Sequence, residues 1–139
     1  MITVADYWMG RDVSHGAELD DLTRANAAVT VGRAATLLRQ AADDGLVLIP
    51  NPRTGSYVAS GWRPTGINNS TPGAAVHSKH LTGEAVDIYD PGGDVDDWCM
   101  SHTAALELCG LWLEHPASTK GWCHLQTRPP GSGRRVFYP

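Results

Sequence analysis

Two histidines and one aspartate, His80, Asp87 and His124, are the residue types of a catalytic zinc site. Two imidazoles and one carboxylate are a typical three-ligand set, because they leave the fourth position of a tetrahedral ion open to water. A metal in such a site lowers the pKa of water from 15.7 to about 7, so hydroxide becomes available at neutral pH. These residue types therefore point to metal-assisted hydrolysis.

The two segments that carry these residues alternate with the period of a β-strand. In GEAVDIY the period of two places Asp87 on the face opposite to its apolar neighbours, and Gly83 allows a sharp approach that returns His80 to the same face. In WCHLQ the same alternation places His124 opposite to its apolar neighbours. Spacing alone does not define a metal site, because a lone histidine is more often a surface or hydrogen-bonded residue than a ligand.

Several motifs add a family resemblance to this pattern. Residues 78–88 read SKHLTGEAVDI and resemble the Ser-x-His-x-x-Gly-x-Ala-x-Asp signature of the M15 metallopeptidases, the D-Ala-D-Ala carboxypeptidase and L-alanyl-D-glutamate endopeptidase group. The family's downstream Trp-x-His element resembles Trp122-Cys-His124, and SGWRP at residues 60–64 resembles the upstream segment that carries a substrate-binding arginine. The opening YWMGRD is also similar to that of small phage-type members.

This resemblance implies a fold, a cofactor and a substrate. The fold would be α+β of the hedgehog/DD-peptidase type, and His80, Asp87 and His124 would bind one zinc ion. The substrates would be peptidoglycan stem peptides, with carboxypeptidase and endopeptidase action equally open. We expect the chain to act on them as a monomer.

Three further residues are expected to contact the substrate. By resemblance Arg63 holds a substrate carboxylate, for which a planar guanidinium is suited; the alternative is a surface arginine that packs on Trp62. Ser78 is expected to hydrogen-bond the bound peptide, or else to cap local backbone. Gln126 shares the predicted face of His124 and is expected to contact the ligand or the groups behind the metal.

Hydrolysis also needs a group that takes a proton from water, and a carboxylate of raised pKa suits that task. Many M15 members have an acidic residue three positions before the last histidine, where this sequence has Gly121. The nearest upstream carboxylate is Glu114, at the end of the apolar LWLE, and it is the candidate base. If Glu114 is only a solvated strand-end residue, the chain is instead a zinc-stabilised cell-wall-binding or virion structural module without efficient turnover.

The elements that must position these residues can be read from periodicity and turn signals. Residues 20–44 have helical spacing and end at Gly45, and a second helix is predicted from 94 to 109, capped by Asp94. Strands are predicted for LVLIP, SYVASGWRP, GEAVDIY, LWLE and WCHLQ, whereas the opening segment and residues 65–73 are predicted to be irregular. This mixture predicts an α+β domain with a mostly antiparallel sheet and flanking helices.

Composition narrows the classes further. A length of 139 residues with 42% hydrophobic content predicts one domain, residues 1–139. The formal charge of −4 and the lack of clustered Lys and Arg argue against a nucleic-acid partner, and no apolar run has the length of a membrane span. The three cysteines fit no disulfide framework or zinc knuckle and are expected to be reduced. With no export signal, we expect synthesis in the cytoplasm and action on the cell wall after phage lysis or virion delivery.

Overall fold

A five-stranded sheet and a long helix that packs on it form the centre of the computed structural model, which describes residues 1–139. The strands are β1 (Val58–Ser60), β2 (Ala85–Asp90), β3 (Trp112–Glu114), β4 (Gly121–Gln126) and β5 (Val136–Phe137). Their order across the sheet is β1-β2-β4-β3-β5, and every neighbouring pair is antiparallel except β3 and β5. The predicted α+β class with a mostly antiparallel sheet is confirmed.

Six α-helices surround this sheet. They are α1 (Val4–Trp8), α2 (Arg11–Ser14), α3 (Asp21–Asp43), α4 (Thr65–Ser70), α5 (Asp94–Ser101) and α6 (Thr103–Cys109), with short 3-10 helices at Gly16–Glu18 and Pro116–Ser118. None of them combines the length and apolarity needed to cross a bilayer. The predicted helix over 20–44 is α3, and the Asp20 side chain caps it by accepting a hydrogen bond from the Thr23 N–H at 2.7 Å.

Three local predictions were wrong. The opening segment is not irregular, because a capping box between Thr3 and Asp6 starts α1. Residues 65–73 are not a continuous loop, since α4 occupies most of them. LVLIP belongs to no strand of the sheet; its exposure alternates because Leu46 and Leu48 pack against the core.

The second predicted helix is broken at His102 into α5 and α6. Its start is capped by Asp90, not by Asp94 as predicted: the Asp90 carboxylate accepts hydrogen bonds from the N–H groups of Val95 at 3.0 Å and Asp96 at 2.9 Å. Gly110 ends α6 in the left-handed conformation, so the helix stops at Cys109, the predicted last residue.

The sheet has one apolar face and one polar face. The apolar face meets the buried side of α3, and both contribute to a single cluster that includes Ala27, Val31, Ala34, Leu37, Leu38, Val86, Ile88, Leu113, Cys123 and Leu125. Because strand side chains alternate, burial of this set leaves Asp87 and His124 on the opposite face. The core therefore fixes which side of the sheet can carry polar chemistry.

Two glycines, one just after β1 and one just before β2, permit close backbone approaches. Gly61 lies against the Tyr7 carbonyl, where any Cβ would overlap it, and Gly83 adopts a positive φ of 78° next to the Thr23 carbonyl. The Gly83 carbonyl accepts a hydrogen bond from the Thr30 hydroxyl at 2.7 Å, which ties the chain before β2 to α3. The sharp approach predicted at Gly83 thus has a conformation that favours glycine.

A buried carboxyl lies on the apolar side of β4. Asp96 accepts a hydrogen bond from the Thr119 hydroxyl at 3.2 Å, but its second oxygen has no partner. Burial raises the pKa of Asp96 from 3.8 to about 6. The charges of Asp90 and Asp97 also raise this pKa, whereas hydrogen bonds with Cys123 and Thr119 lower it. All three cysteines are free thiols, and Cys123 is fully buried.

Asp96→Asn is expected to change how stability depends on pH. Because the pKa of Asp96 is higher in the folded chain, its stabilising contribution is complete below about pH 4 and is lost as the pH rises through about 6. The variant should not lose stability over this pH range. At pH 7.5 it should melt about 3–5 °C above the wild type, the shift that about 1 kcal/mol in the free energy of unfolding produces. Thermal melts of metal-free protein from pH 4 to 8 measure this. Asp94→Asn, an exposed carboxylate of the same first turn, is the control, and a wild-type slope in Asp96→Asn would contradict the assignment.

Candidate metal centre

The register of the two central strands sets the first two groups of the site. In the antiparallel pair β2 and β4, Asp87 lies directly opposite His124. The His124 Nδ1 is 2.8 Å from the Asp87 Oδ1, and both side chains are almost completely buried. A shift of one residue would turn one of them into the core, so the apolar faces of both strands fix this pairing.

His80 reaches the same place from the turns that precede β2. Its side chain is buried, and its Nδ1 is 2.8 Å from the Gly61 carbonyl, which can only accept a hydrogen bond. The proton of the neutral ring therefore lies on Nδ1, and the Nε2 presents a lone pair. Burial lowers the pKa of His80, which outweighs the opposite effect of Asp87 and keeps the ring neutral.

The donor atoms of these three residues face one another across a space that fits one ion. The His80 Nε2 is 3.2 Å from the Asp87 Oδ2 yet makes no hydrogen bond, and the donor atoms of the triad all lie within 4.8 Å of one another. Ligands about 2.0–2.1 Å from a tetrahedral zinc ion are about 3.3 Å apart, close to these separations. A lone pair aimed at a carboxylate oxygen is unfavourable unless a cation lies between them. The three residues therefore form a site compatible with one metal ion.

The charges of the triad agree with this use. Burial opposes ionisation of Asp87, but the adjoining imidazoles of His80 and His124 hold its pKa well below the usual range, so the carboxylate is ionised. Burial would lower the pKa of His124, but its hydrogen bond and charge interaction with Asp87 raise the pKa above 6.5 overall. The place between the His124 Nδ1 and the Asp87 carboxylate thus favours a positive charge, which either a proton or a metal cation can supply.

Gln126 fixes the orientation of the His124 ring. Its Oε1 is 2.9 Å from the His124 Nε2, and its own Nε2 donates to the Arg128 carbonyl at 2.8 Å, which sets the direction of the amide. The His124 Nε2 is therefore a donor, and the Nδ1 is the nitrogen that faces Asp87. Sequence reasoning offered ligand contact or support of the metal site for Gln126, and this geometry corresponds to support; contact with substrate stays a prediction.

Arg63 is bound to the site by all three of its nitrogens. The Nε donates to the Ser60 hydroxyl at 3.1 Å, the Nη1 to the Asn68 Oδ1 at 3.3 Å, and the Nη2 to the Asp87 Oδ2 at 3.4 Å. Asn68 belongs to α4, the helix that the composition of residues 65–73 did not reveal. Arg63 therefore holds Asp87 in place, and its expected grip on a substrate carboxylate stays a prediction.

Glu114 lies beside the triad at the end of β3. Extension of the β3–β4 register from Leu113 and Leu125 puts Glu114 opposite His124, and its Oε2 is 4.0 Å from the His124 Nδ1. Burial raises the pKa of Glu114 above its ordinary value, against the opposing charge of His124. At Gly121 the positive φ of 99° disfavours any side chain, so an acid at that position would be strained.

The triad opens into a large cleft of about 1110 Å³. The residues that line it include Arg63, Ser78, Glu114, Trp122 and Phe137. The Ser78 hydroxyl accepts a hydrogen bond from the His80 N–H at 3.2 Å, so it caps local backbone while it faces the cleft. Its contact with a bound peptide stays a prediction.

Sequence reasoning missed several groups that build the site. No sequence pattern identified these groups as parts of the site. They are the Gly61 carbonyl, the Asn68 side chain and the Phe137 ring, whose centroid is 6.3 Å from that of His124. Comparison with protein-family models, with curated proteins and with solved structures found no match.

The metal-free protein is expected to take up one zinc ion per chain. His124→Ala removes one donor of three, so its affinity for zinc should fall by more than the 10–100-fold that loss of a supporting group costs. Elemental analysis after dialysis gives the stoichiometry, and competition with a chelator gives the affinity. Zinc retained at full affinity in His124→Ala would exclude this residue as a ligand; His77→Ala, an exposed histidine at the cleft, is the control.

Gln126→Ala is expected to lower the affinity for zinc about 10–100-fold while the stoichiometry stays at one. The physical reason is that the His124 ring loses the acceptor that fixes its donor nitrogen and its orientation. The same competition titration measures the change. Gln40→Ala, an exposed glutamine on α3, should bind zinc like the wild type, and equal affinities for the two variants would contradict the role of Gln126.

Proposed function

We propose that this chain is a zinc-dependent peptidase of the M15 type that hydrolyses amide bonds in peptidoglycan stem peptides on a hedgehog/DD-peptidase-like fold. The observation that carries the proposal is the meeting of His80, Asp87 and His124 beside the carboxylate of Glu114 at the base of one cleft. The resemblance of residues 78–88 to the M15 signature supports cell-wall peptides as the substrate class.

His80, Asp87 and His124 would hold the zinc ion, which when bound would supply Lewis acidity for polarising an amide carbonyl and lowering the pKa of water to about 7. The chain contributes the rigid placement of the donors. Gly61 holds His80, Gln126 holds His124, and Arg63 holds Asp87, so each donor has one fixed partner behind it. Such support keeps the reacting groups in position without reorganisation during the reaction.

Glu114 is proposed to move the proton. Its Oε2 accepts a proton from the water whose oxygen attacks the amide carbon, and it then delivers that proton to the leaving nitrogen as the carbon–nitrogen bond breaks. Burial raises the pKa of Glu114, which makes its carboxylate a stronger base for taking up a proton. Its Oε2 is 4.0 Å from the His124 Nδ1, so the carboxylate lies next to the residues that would bind the metal.

A second function, zinc-stabilised binding to the cell wall without turnover, is favoured by one observation. The position at which many M15 members have an acid is occupied by Gly121. In this alternative Glu114 is a partly buried strand-end carboxylate, and the metal only stabilises the fold. The two functions differ in whether wall peptide is cleaved.

Incubation of the zinc-loaded protein with purified cell wall separates them. The peptidase should release new amino and carboxyl termini, detected by amine labelling and by mass spectrometry of the soluble fragments. Co-sedimentation of the protein with intact wall, with no new termini at full zinc occupancy, would favour the binding function and overturn the proposed one.

Glu114→Gln is expected to lower kcat by about 10²–10⁴-fold with zinc retained, because the amide cannot accept the proton. Metal analysis and thermal melts show that the site and the fold remain intact. Glu107→Gln, an exposed glutamate on α6, is the matched control and should keep the wild-type rate. Turnover that survives in Glu114→Gln would assign the proton transfer to another group.

A further inference from the structure

The cleft collects positive charge although the chain as a whole is acidic. The basic residues that line the cleft are Arg11, Arg53, Arg63 and Lys79, and its only acidic lining residues are Asp87 and Glu114. Of these four cations, only Arg63 forms an ion pair, and its partner is the metal ligand Asp87. The formal charge of the chain is −4, so this concentration of cations is local to the cleft.

Arg11 is the most constrained of the three cations that have no acidic partner. Its Nη1 donates to the Trp62 carbonyl at 2.8 Å, while its Nε and Nη2 have no acceptor in the protein. Its side chain is half-buried on the same wall as Arg63. Burial lowers the pKa of Arg11, and the charge of Arg63 lowers it further, so both effects disfavour an uncompensated cation at this place.

The backbone around Arg11 is built to hold it there. Met9 has a positive φ of 54°, which is uncommon for a residue with a side chain, and Gly10 follows with a φ of 77°. The turn between α1 and α2 is fastened to the site because the Tyr7 carbonyl accepts from the Trp62 N–H at 3.3 Å, and the Tyr7 hydroxyl donates to the Ala85 carbonyl at 2.9 Å. Left-handed residues are usual where a helix ends, and this fastened turn fixes the place at which α2 and its first residue, Arg11, begin.

We propose that Arg11, with its two free donor groups, binds a carboxylate of the substrate on the wall that it shares with Arg63. The proposal rests on the proposed function and names its substrate class: peptides that carry a free carboxylate near the scissile amide. Arg63 is the less available of the two guanidiniums, because each of its nitrogens already donates to a side chain of the protein. Arg11 is thus a specificity residue, whereas Arg63 positions Asp87.

The chemistry of this wall favours a carboxylate over a neutral amide for a simple reason. A hydrogen bond to a charged partner is stronger than one between neutral groups, and a guanidinium can make two in parallel with one carboxylate. An amide offers one acceptor oxygen and leaves the positive charge uncompensated. The carboxylate can be the α-carboxylate of a chain end or the side chain of an acidic residue.

Binding of matched peptides to zinc-loaded Glu114→Gln protein tests the proposal without any need for turnover. Three stem-peptide analogues of one sequence are compared by calorimetry: one with only the α-carboxylate free, one with only the side-chain carboxylate free, and one with both amidated. At least one acid should bind about tenfold or more tightly than the diamide. The acid that gains shows which carboxylate is bound.

Arg11→Gln in the same background should reduce the acid-over-amide ratio about tenfold, and Arg11→Lys should restore part of it because the charge remains. Arg39→Gln, an exposed arginine on α3, is the control for the loss of one positive charge and should keep the wild-type ratio. Thermal melts show whether each variant folds. If Arg11→Gln does not fold, the acid-over-amide ratio of Arg11→Lys is compared with that of the parent protein instead. Equal binding of all three peptides by the parent protein, or an unchanged ratio in Arg11→Gln, would overturn the proposal.

These outcomes are distinct from failure of the proposed function. A protein that cleaves cell wall but shows no preference for acidic peptides retains the peptidase assignment and loses the role of Arg11. A protein that prefers the acids but cleaves nothing retains the carboxylate site and supports the binding module instead.

Discussion

The contact between the Asp87 carboxylate and two imidazoles is the interaction on which the rest of the site depends. Asp87 is buried, ionised and 2.8 Å from His124 on one oxygen and 3.2 Å from His80 on the other. Leaving a buried charge without partners costs about 3–5 kcal/mol, so the surrounding structure must supply positive charge or donors at this point. Arg63, the proton on His124 and a bound cation are the three sources available.

This requirement explains why segments that are distant from β2 and β4 in the sequence pack around the site. Gly61 has no side chain, and its carbonyl can therefore hold the His80 ring while Tyr7 lies against the same segment. Trp8 packs edge to face on Trp62 at 6.0 Å, which joins the opening helix to the same stretch of backbone. The N-terminal helices thus act as a support for the metal site and bring Arg11 to its cleft.

Local signals predicted the elements where periodicity and caps agreed with packing. The helix α3 and the strands β2, β3 and β4 were found because their apolar spacing matches a face that is buried. Local signals gave wrong predictions where contacts with other segments set the structure. LVLIP has the pattern of a strand but no partner strand, and α4 forms from a composition typical of loops. The break at His102 and the cap provided by Asp90 are likewise set by contacts outside the segment.

Alternation by itself determined the face on which Asp87 and His124 lie, because the period of a strand follows from backbone geometry. The choice of the donor set also needed the resemblance of residues 78–88 to the M15 signature. Only the tertiary structure decided how those donors are oriented. The Gly61 carbonyl that fixes the tautomer of His80 is 19 residues distant from it along the chain, and Arg11 reaches the backbone of Trp62 across 51 residues. Distances between such segments depend on how the helices and the sheet pack together, and no local pattern in the sequence encodes them.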